Sequence, residues 1–359
     1  HCHVLCMPNT SEEAMTLIFS SILSGFLQKF KSEIQFLANA SISSTIEVFN
    51  RISVELLPTP QKSHYIFNLR DVSKVVQGIL CVKPMHVQST EAFTRLWIHE
   101  CSRVFHDRLI NEEDKMWFKE ALMRLLKQKF RVDQTLDQVF HEKPIMWGNF
   151  MRPGAETKVY EEIKDINRMT KLMEDYADDY NLSHASTMNL VFFKDCLEHI
   201  CRTARVLAQP RGNMMLVGVG GSGRQSVTRL CSSIGEMNLC EIEITKGYGV
   251  EPFREDLRTF LNKAGGGEGK DTIFLFNDTQ IIVEGFLEDI NNILNSGEVP
   301  NLFPNDEVDR IVNDVRPIAK ETGRSEAKDA VWQFFVERVR DYLHIILAMS
   351  PVGDALRVR

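Results

Sequence analysis

An α/β fold preceded by an all-helical unit is the fold class that this sequence predicts, and three observations predict it. From Met214 onward, short apolar runs alternate with helical stretches, the pattern of a parallel sheet with crossover helices. A glycine-rich loop directly follows the first of these apolar runs. Residues 10 to about 130 instead show helical periodicity throughout. The chain is therefore predicted to contain a helical unit and then an α/β unit.

The helical unit is predicted to start near Ser11, which with its two preceding neighbours offers side chains that cap a helix. Apolar residues then recur at helical spacing from Met15 to Phe26. The second helix ends before Pro58, because proline cannot continue it. This second helix is predicted at 42–57, and the later helices of the unit at 69–80, about 90–109 and about 114–129.

Residues 131–155 separate the two units, since prolines and glycines interrupt this stretch. Beyond it, helices are predicted at about 156–180 and about 192–207. A flexible surface turn is expected at 265–270 and a charged helical insertion at 305–342. The strands of the parallel sheet are predicted at Met214–Val217, Cys240–Thr245, Thr272–Phe276 and Leu343–Ala348.

Composition limits the class of protein. The chain is 43% hydrophobic and 25% charged, as in soluble globular proteins. A formal net charge of −7 argues against general nucleic-acid binding, and no apolar run approaches the roughly 20 residues of a membrane helix. We therefore expect neither a nucleic-acid nor a membrane partner. Both ends of the chain lack the features of a natural terminus, so we expect a fragment of a longer protein.

The 8 cysteines are spread along the chain without a Cys-x-x-Cys pair. This usage favours free thiols in a reducing, intracellular compartment. His1, Cys2, His3 and Cys6 could form half of a metal site, but ligand spacing elsewhere is absent. We instead expect a strand at 3–7 in which the cysteines act as small apolar residues.

The glycine loop at 218–226, Gly-Val-Gly-Gly-Ser-Gly-Arg-Gln-Ser, lies between a strand and a helix start. Such a loop turns its backbone N–H groups inward in front of a helix N-terminus, which suits a phosphate chain. It is close to the P-loop pattern, but Arg224 replaces the lysine and Gln225 replaces the hydroxyl residue that binds magnesium. The loop therefore predicts nucleotide binding and leaves hydrolysis open.

Two other interpretations of this loop remain open at this point. Gly218, Gly220 and Gly223 also fit the dinucleotide fingerprint G-x-G-x-x-G, with Glu241 or Glu243 on the ribose. Alternatively, the glycines only let a helix pack closely on a strand.

The third predicted strand favours the nucleotide-hydrolase interpretation. The apolar run 273–276 leads directly into Asn277 and Asp278. An acid at such a strand end is what a P-loop NTPase needs beside its phosphate loop. A dinucleotide fold has no such need, although Asp278 could also be a simple turn residue.

Longer segments resemble the motor region of the dynein heavy chains, and more narrowly the fourth AAA+ module of the axonemal branch. The resemblance covers nearly the whole chain and is specific. It is carried by the glycine loop and by the segments His64–Asp71, Phe253–Arg258, Phe276–Ile281 and Gly285–Phe303.

The resemblance implies a division into AAA+ subdomains. Residues 1–8 would be the last strand of a preceding large subdomain. Residues 9–135 would be the all-helical AAA+ small subdomain of the third module. Residues 136–359 would be the AAA+ P-loop NTPase large subdomain of the fourth module, truncated at its C-terminus.

The family implies an ATP-driven microtubule motor in the axoneme of a cilium or flagellum, on the cytoplasmic side of the membrane. Its implied partners are the other AAA+ modules of the same heavy chain, the dynein intermediate and light chains, and microtubules contacted through a stalk outside this fragment. The fourth module would carry a secondary, regulatory site for ATP or ADP, with Mg²⁺ as a candidate cofactor.

The resemblance assigns the phosphate loop residue by residue. Its backbone would cradle the β-phosphate, with Arg224 in the lysine position and Gln225 in the magnesium position. Ser226 follows, but one helical step turns it about 100° away. The cofactor-binding residues are Gly218, Gly220, Gly221, Ser222, Gly223, Arg224, Gln225 and Ser226.

The catalytic positions carry unusual residues. Asn277 would take the place of the Walker B acid and bind Mg²⁺ weakly through water, while Asp278 would take the place of the catalytic glutamate. A shift of one residue would instead make Asp278 the metal acid and Thr279 the base position. Ser350 stands where the family's sensor is usually asparagine. We therefore expect binding with weak or no hydrolysis, since positioning and charge are nearly all that such an enzyme supplies.

Three further residues are assigned by the resemblance. Leu190 and Val191 fit the stretch that contacts adenine, with core packing as the alternative. Arg70 matches the sensor of the third module's small subdomain and would face that module's own nucleotide. The alternative for Arg70 is an exposed arginine paired with Asp71 or another neighbour.

Overall fold

The computed structural model divides into two compact units, one ending at Ile166 and one beginning at Asn167. The first unit is almost entirely helical, and the second contains a four-stranded parallel sheet with helices. The predicted α/β fold with a preceding helical unit is confirmed. The structure describes residues 3–6, 10–140, 145–155, 157–184, 187–267 and 269–351.

Seven α-helices form the first unit within the described residues. The first begins where expected, because Ser11 Oγ accepts a hydrogen bond from Ala14 N at 3.2 Å. The sixth continues into a π-helical turn at Leu126–Phe130. The helices are α1 (Glu12–Leu27), α2 (Ser32–Gln35), α3 (Leu37–Glu55), α4 (Leu69–Ile79), α5 (Thr90–Val104), α6 (Glu112–Leu125) and α7 (Leu136–Phe140).

The core of the first unit forms around Trp97, which is fully buried. Its indole Nε1 donates to Thr45 Oγ1 of α3 at 2.9 Å, and its ring lies 4.7 Å from that of Phe130 between centroids. The apolar spacing of α1, α3, α4, α5 and α6 therefore serves one shared core.

A two-stranded antiparallel sheet lies in the stretch after these helices, where a helix from about 156 had been predicted. Strand β1 (Trp147–Gly148) pairs with β2 (Glu161–Glu162). Tyr160 is buried and donates to Glu100 Oε1 at 2.7 Å. The polar helix therefore starts only at Ile166, because the preceding residues are held extended by contacts that helical periodicity does not encode.

The strand predicted at the start of the chain stays a prediction. Residues 3–6 are exposed and belong to no strand, and the other residues of the stretch 1–8 lie outside the described residues. His1 and Cys2 of the alternative metal site also lie outside them. Within the described ranges, no group of three or more His, Cys, Asp or Glu side chains could hold a metal ion.

The cysteines in the described part of the chain are thiols and form no disulfide. Cys6 and Cys81 are exposed, while the others are buried. Burial raises the pKa of the Cys101 thiol well above its usual range, so this side chain stays neutral and packs as an apolar residue.

The sheet of the second unit has the strand order β3 (Met214–Val217), β6 (Leu343–Met349), β5 (Thr272–Asn277), β4 (Asn238–Glu241), and all of its pairs are parallel. The central strands β5 and β6 are almost entirely buried, whereas β3 is an edge strand that exposes Met215 and Val217. The four predicted strands are all present, and three of them agree with the prediction to within one residue. The strand predicted at 240–245 instead runs from 238 to 241, so residues 242–245 belong to the loop that follows it.

Helices surround this sheet, and the charged stretch predicted as a helical insertion forms the last two of them. Both pack into the same apolar core as β5 and β6, through Val315 and Val339. The helices are α8 (Ile166–Ser183), α9 (Lys194–Leu207), α10 (Arg224–Gly235), α11 (Val250–Gly265), α12 (Gly285–Ser296), α13 (Asn305–Glu321) and α14 (Lys328–Tyr342).

Candidate functional site

The carboxyl ends of β3, β5 and β6 bring the predicted site residues of the second unit to one edge of the sheet. Gly218 N, at the start of the glycine loop, donates to Met349 O at the end of β6 at 3.1 Å. The next residue of the chain, Ser350, donates its N–H to Asp278 Oδ2 at 2.8 Å. The glycine loop, the end of β5 and the sensor position therefore share one strand end, where ligands of open α/β sheets bind.

The glycine loop presents unused backbone donors in front of α10. Gly221 and Gly223 both have φ of +80°, a conformation that a side chain would strain. Among the described residues, the N–H groups of Gly220, Gly221 and Gly223 donate no hydrogen bond to the protein. The helix that follows has no side-chain cap at its N-terminus. These donors fit a phosphate chain.

Open space lies in front of the same loop. A Cβ built on Gly220, Gly221 or Gly223 would meet no atom within 4 Å. The loop is therefore kept free of side chains without being packed against other parts of the unit. Such a cradle fits the nucleotide that the loop predicts.

Arg224 is the first residue of α10 and is half-buried. Its Nη1 atom is buried and has no hydrogen-bond partner in the described part of the chain. Leaving a buried guanidinium donor unpaired costs stability unless a ligand accepts it. The position and charge of this side chain therefore suit phosphate oxygens.

Gln225 contacts a residue that sequence reasoning missed. Its Oε1 lies 3.5 Å from Arg229 Nη2, one helical turn further along α10. Arg229 is itself held by Glu241 at the end of β4, with Nε–Oε1 and Nη2–Oε2 both 2.8 Å. The spacing of four residues could have identified this neighbour, since such residues share a helix face.

Asp278 is held by the backbone around it. Oδ1 accepts from Thr279 N at 3.0 Å, and Oδ2 accepts from Ser350 N. Burial alone would raise the pKa of Asp278. The hydrogen bonds of the Ser350 hydroxyl and backbone and of the Thr279 backbone, together with the positive charge of Arg224, outweigh it and hold the pKa below its usual value.

Asn277 ends β5 and is buried, with 7% of its surface exposed. Its backbone N–H donates to Gln280 Oε1 at 2.8 Å, while its side-chain Oδ1 has no hydrogen-bond partner among the described residues. Gln225 and Asn277 are the predicted magnesium ligands, and both are neutral amides. Magnesium sites in proteins favour carboxylates and phosphate oxygens, so these two side chains fit the metal poorly.

The remaining predicted residues differ in their surroundings. Ser222 is exposed and Ser226 is half-buried, both within the glycine loop and the first turn of α10. Leu190 and Val191 lie in the extended segment before α9, and Val191 is 79% exposed. Val191 is therefore not part of a core, which removes the packing alternative for that residue.

Arg70 lies in the first unit, in the first turn of α4, and is exposed. The alternative pairing with Asp71 does not form, because Asp71 Oδ2 contacts Arg108 Nη1 at 3.1 Å and also caps the helix through Asn68 N. The role of Arg70 toward the third module's nucleotide stays a prediction.

The dinucleotide interpretation is not supported. In a dinucleotide fold the strand after the glycine loop pairs with the strand before it. Here β6 and β5 both lie between β3 and β4. Glu241, one of the two candidate ribose ligands, has both carboxylate oxygens bonded to Arg229. The strand order therefore separates β3 from β4, the two strands whose ends a dinucleotide would contact.

No helix in the described ranges is both long and apolar enough to cross a membrane.

Two family models match this chain. Residues 41–142 match the AAA+ lid domain, and residues 188–359 match the P-loop containing dynein motor region D4.

Curated relatives agree with these matches. Human dynein axonemal heavy chain 6 is 49% identical over 362 residues, covering 100% of this chain. The dynein-1-beta heavy chain of the flagellar inner arm I1 complex of Chlamydomonas reinhardtii is 44% identical, covering 98%. Human dynein axonemal heavy chain 1 is 42% identical, covering 100%.

The chain spans only 9%, 8% and 9% of the length of these three relatives. The matched segment holds both the lid domain and the P-loop domain, in the order that the two compact units show. The chain therefore belongs to the axonemal dynein heavy-chain family, as a segment of its AAA+ motor region.

Proposed function

We propose that this chain is part of an ATP-driven microtubule motor and carries a secondary nucleotide site that binds ATP or ADP and hydrolyses it weakly or not at all. The site consists of the glycine loop 218–226 with Asn277, Asp278 and Ser350. The family implies that the AAA+ modules form a ring whose main hydrolytic site lies in the first module. The function of the site proposed here would be regulatory, through the effect of a retained nucleotide on the neighbouring modules of that ring.

The observation that carries this proposal is the bonding of Asp278. Both of its carboxylate oxygens accept backbone N–H groups, from Thr279 and Ser350. A general base must be free to take a proton from the attacking water, and a lowered pKa makes it a weaker base. Asp278 is thus suited to hold the strand ends together and poorly suited to catalysis.

Nucleotide binding has separate support. The loop donors and the open space before them need no catalytic acid. The half-buried Arg224 adds a permanent positive charge that can bind two phosphate oxygens. By contrast, the loss of each catalytic donor costs about 10²–10³-fold in rate, and such losses need not add. Binding is therefore retained where hydrolysis is lost.

The partners and location follow from the family. The relatives' names describe them as axonemal or flagellar, and we infer that this chain also acts in the axoneme of a cilium or flagellum. It would contact the other AAA+ modules of its own heavy chain, assemble with intermediate and light chains, and reach microtubules through a stalk.

Two residue roles complete the proposal. The exposed Val191, with Leu190, would contact the adenine ring from the segment before α9. Arg70, exposed and not paired with Asp71, would reach the nucleotide of the third module.

Single-turnover ATP cleavage in an intact motor ring, with the first module's site disabled by mutation, tests this function. We expect nucleotide to be retained at this site without appreciable cleavage. Rapid cleavage that disappears on Arg224→Gln would overturn the proposed weak hydrolysis. An intact ring with no nucleotide against Gly223 and Arg224 would instead indicate a purely structural module.

A further inference from the structure

We propose that this site binds a nucleoside diphosphate without Mg²⁺, and that the guanidinium of Arg224 supplies the positive charge that the metal supplies in ordinary P-loop sites. This inference rests on the proposed function, because it concerns the ligand of the same loop. It follows from three features of the second unit. They are the neighbours of Gln225, the hydrogen bonds that occupy Glu241 and Asp278, and the buried Nη1 of Arg224, which has no hydrogen-bond partner among the described residues.

A P-loop site normally offers magnesium a hydroxyl from the loop and a carboxylate from the neighbouring strand. Gln225 and Asn277 stand at these two positions. Each offers only a neutral amide oxygen, and the amide of Gln225 is longer than the hydroxyl it replaces. The carboxylate that helps to balance the charge of Mg²⁺ in an ordinary site is therefore missing, and neither position replaces it.

The oxygen of Gln225 also lies next to a cation. Arg229 Nη2 is 3.5 Å from Oε1, which is long for a hydrogen bond but close for a full positive charge. A divalent ion bound to that oxygen would lie near the guanidinium and be repelled by it. Glu241 cannot serve as a metal ligand in exchange, because both of its oxygens are bonded to Arg229 at 2.8 Å.

The carboxylate of Asp278, just after the end of β5, is also already hydrogen-bonded. Asp278 accepts hydrogen bonds from Thr279 N and Ser350 N, one on each oxygen, and the charge of Arg224 acts on it. Asn277 Oδ1 has no hydrogen-bond partner in the part of the chain that the structure describes, but it is a single uncharged oxygen. A neutral oxygen alone can hold a water molecule on the nucleotide and does not make a magnesium site.

Arg224 compensates for the missing metal. Its Nη1 is buried and unpaired among the described residues, at the first position of α10 behind the loop donors. Guanidinium is always charged, and its planar fork matches two phosphate oxygens. A diphosphate held by this fork and by the loop N–H groups needs no further cation.

Binding of ADP to an intact motor ring whose other nucleotide sites are disabled by mutation, measured by calorimetry with Mg²⁺ and with excess EDTA, tests the inference. We expect the two dissociation constants to agree within about threefold. A loss of more than about tenfold in EDTA would overturn the inference while leaving nucleotide binding intact. Absence of ADP binding in both buffers would overturn the proposed function and this inference together.

A double variant that restores the usual magnesium ligands provides a second test. Gln225→Thr combined with Asn277→Asp restores the hydroxyl and the carboxylate, and we expect ADP to bind this variant about tenfold more tightly with Mg²⁺ than in EDTA. The matched control is Gln333→Thr with Asn313→Asp, the same exchanges at exposed positions of α14 and α13. A control that gains the same metal dependence would contradict the assignment, and circular dichroism checks the folding of both variants.

Arg224 provides an independent test. Removal of its charge in Arg224→Gln should weaken ADP binding by the same factor with and without Mg²⁺, at least about tenfold, whereas Arg224→Lys should lose less. Full rescue of Arg224→Gln by Mg²⁺ would mean that the metal, and not the arginine, supplies the charge.

Discussion

Asn277 and Asp278 show how single residues separate binding from hydrolysis at this site. Both keep a polar atom at the end of β5, yet Asn277 lacks charge and Asp278 is bonded through both oxygens. The backbone donors of the glycine loop are unaffected by these exchanges, because they depend on conformation and not on side chains. Nucleotide binding therefore depends on backbone N–H groups, whereas hydrolysis depends on side chains.

Gly220→Val should weaken ADP binding by at least about tenfold, since its side chain would fill the space in front of the loop donors. Folding should be unaffected, because a Cβ at Gly220 meets nothing within 4 Å and its φ is not positive. Calorimetry and thermal melting measure the two effects. Gly25→Ala, at an equally open position in α1, is the control, and unchanged affinity in Gly220→Val would contradict the cradle.

Asp278→Asn should lower the free energy of unfolding at pH 7 by about 1 kcal/mol, through the loss of charge-assisted hydrogen bonds. The pKa of Asp278 is lowered in the folded state, so its stabilisation is present above the usual carboxyl range and is lost as pH falls through the folded-state pKa. The difference between variant and parent should therefore shrink in acid. Urea unfolding at several pH values measures it, with the exposed Asp314→Asn as control; a difference that grows in acid would refute the assignment.

Polar contacts join helices to segments far away in the sequence, and the apolar spacing within each helix does not predict these contacts. Tyr65, in the segment after the short helix Pro60–Lys62, donates to Asp114 Oδ2 of α6 at 2.8 Å and accepts from Ile110 N at 2.9 Å. Lys62 Nζ contacts the same carboxylate oxygen at 2.6 Å. This cluster fixes the start of α6 against the segment before α4.

Tyr65→Phe should cost about 1–3 kcal/mol, because it removes the hydroxyl donor of the buried Asp114 carboxylate and the acceptor of the Ile110 N–H. Tyr342→Phe is the control, since it removes the hydroxyl of a half-buried tyrosine and keeps the ring that contacts Arg338. In the parent, burial and the bond to Asp114 outweigh the Ile110 bond and raise the pKa of Tyr65 to about 12. Urea unfolding and an ultraviolet titration measure the two quantities. A cost equal to that of the control would contradict this role.

At the scale of the whole molecule, each compact unit has an apolar core of its own. One cluster runs from Met15 to Tyr160, and another from Cys240 to Met349. A separate core is the physical requirement for independent folding. The sheet β1–β2 and the Tyr160–Glu100 bond belong to the first of these cores.

Residues 10–166 expressed alone should therefore fold cooperatively, with coincident urea transitions by circular dichroism and tryptophan fluorescence. Residues 9–135, the range predicted from the sequence, should be less stable, because this piece lacks Trp147 and Tyr160. Equal stability of the two pieces would place the boundary of the unit at 135 and contradict the contribution of β1 and β2.

The sequence by itself determined the glycine loop, the four strands, most helices and the family, since these depend on local spacing and on residue types at neighbouring positions. Only the tertiary structure decided the order of the strands, which places Ser350 beside Asp278 and excludes the dinucleotide interpretation. The Arg229–Glu241 pair and the pairing of β1 with β2 were likewise decided there. The physical reason is that periodicity reports which face of an element is buried, whereas the partner of that face is chosen by contacts between residues far apart in the chain.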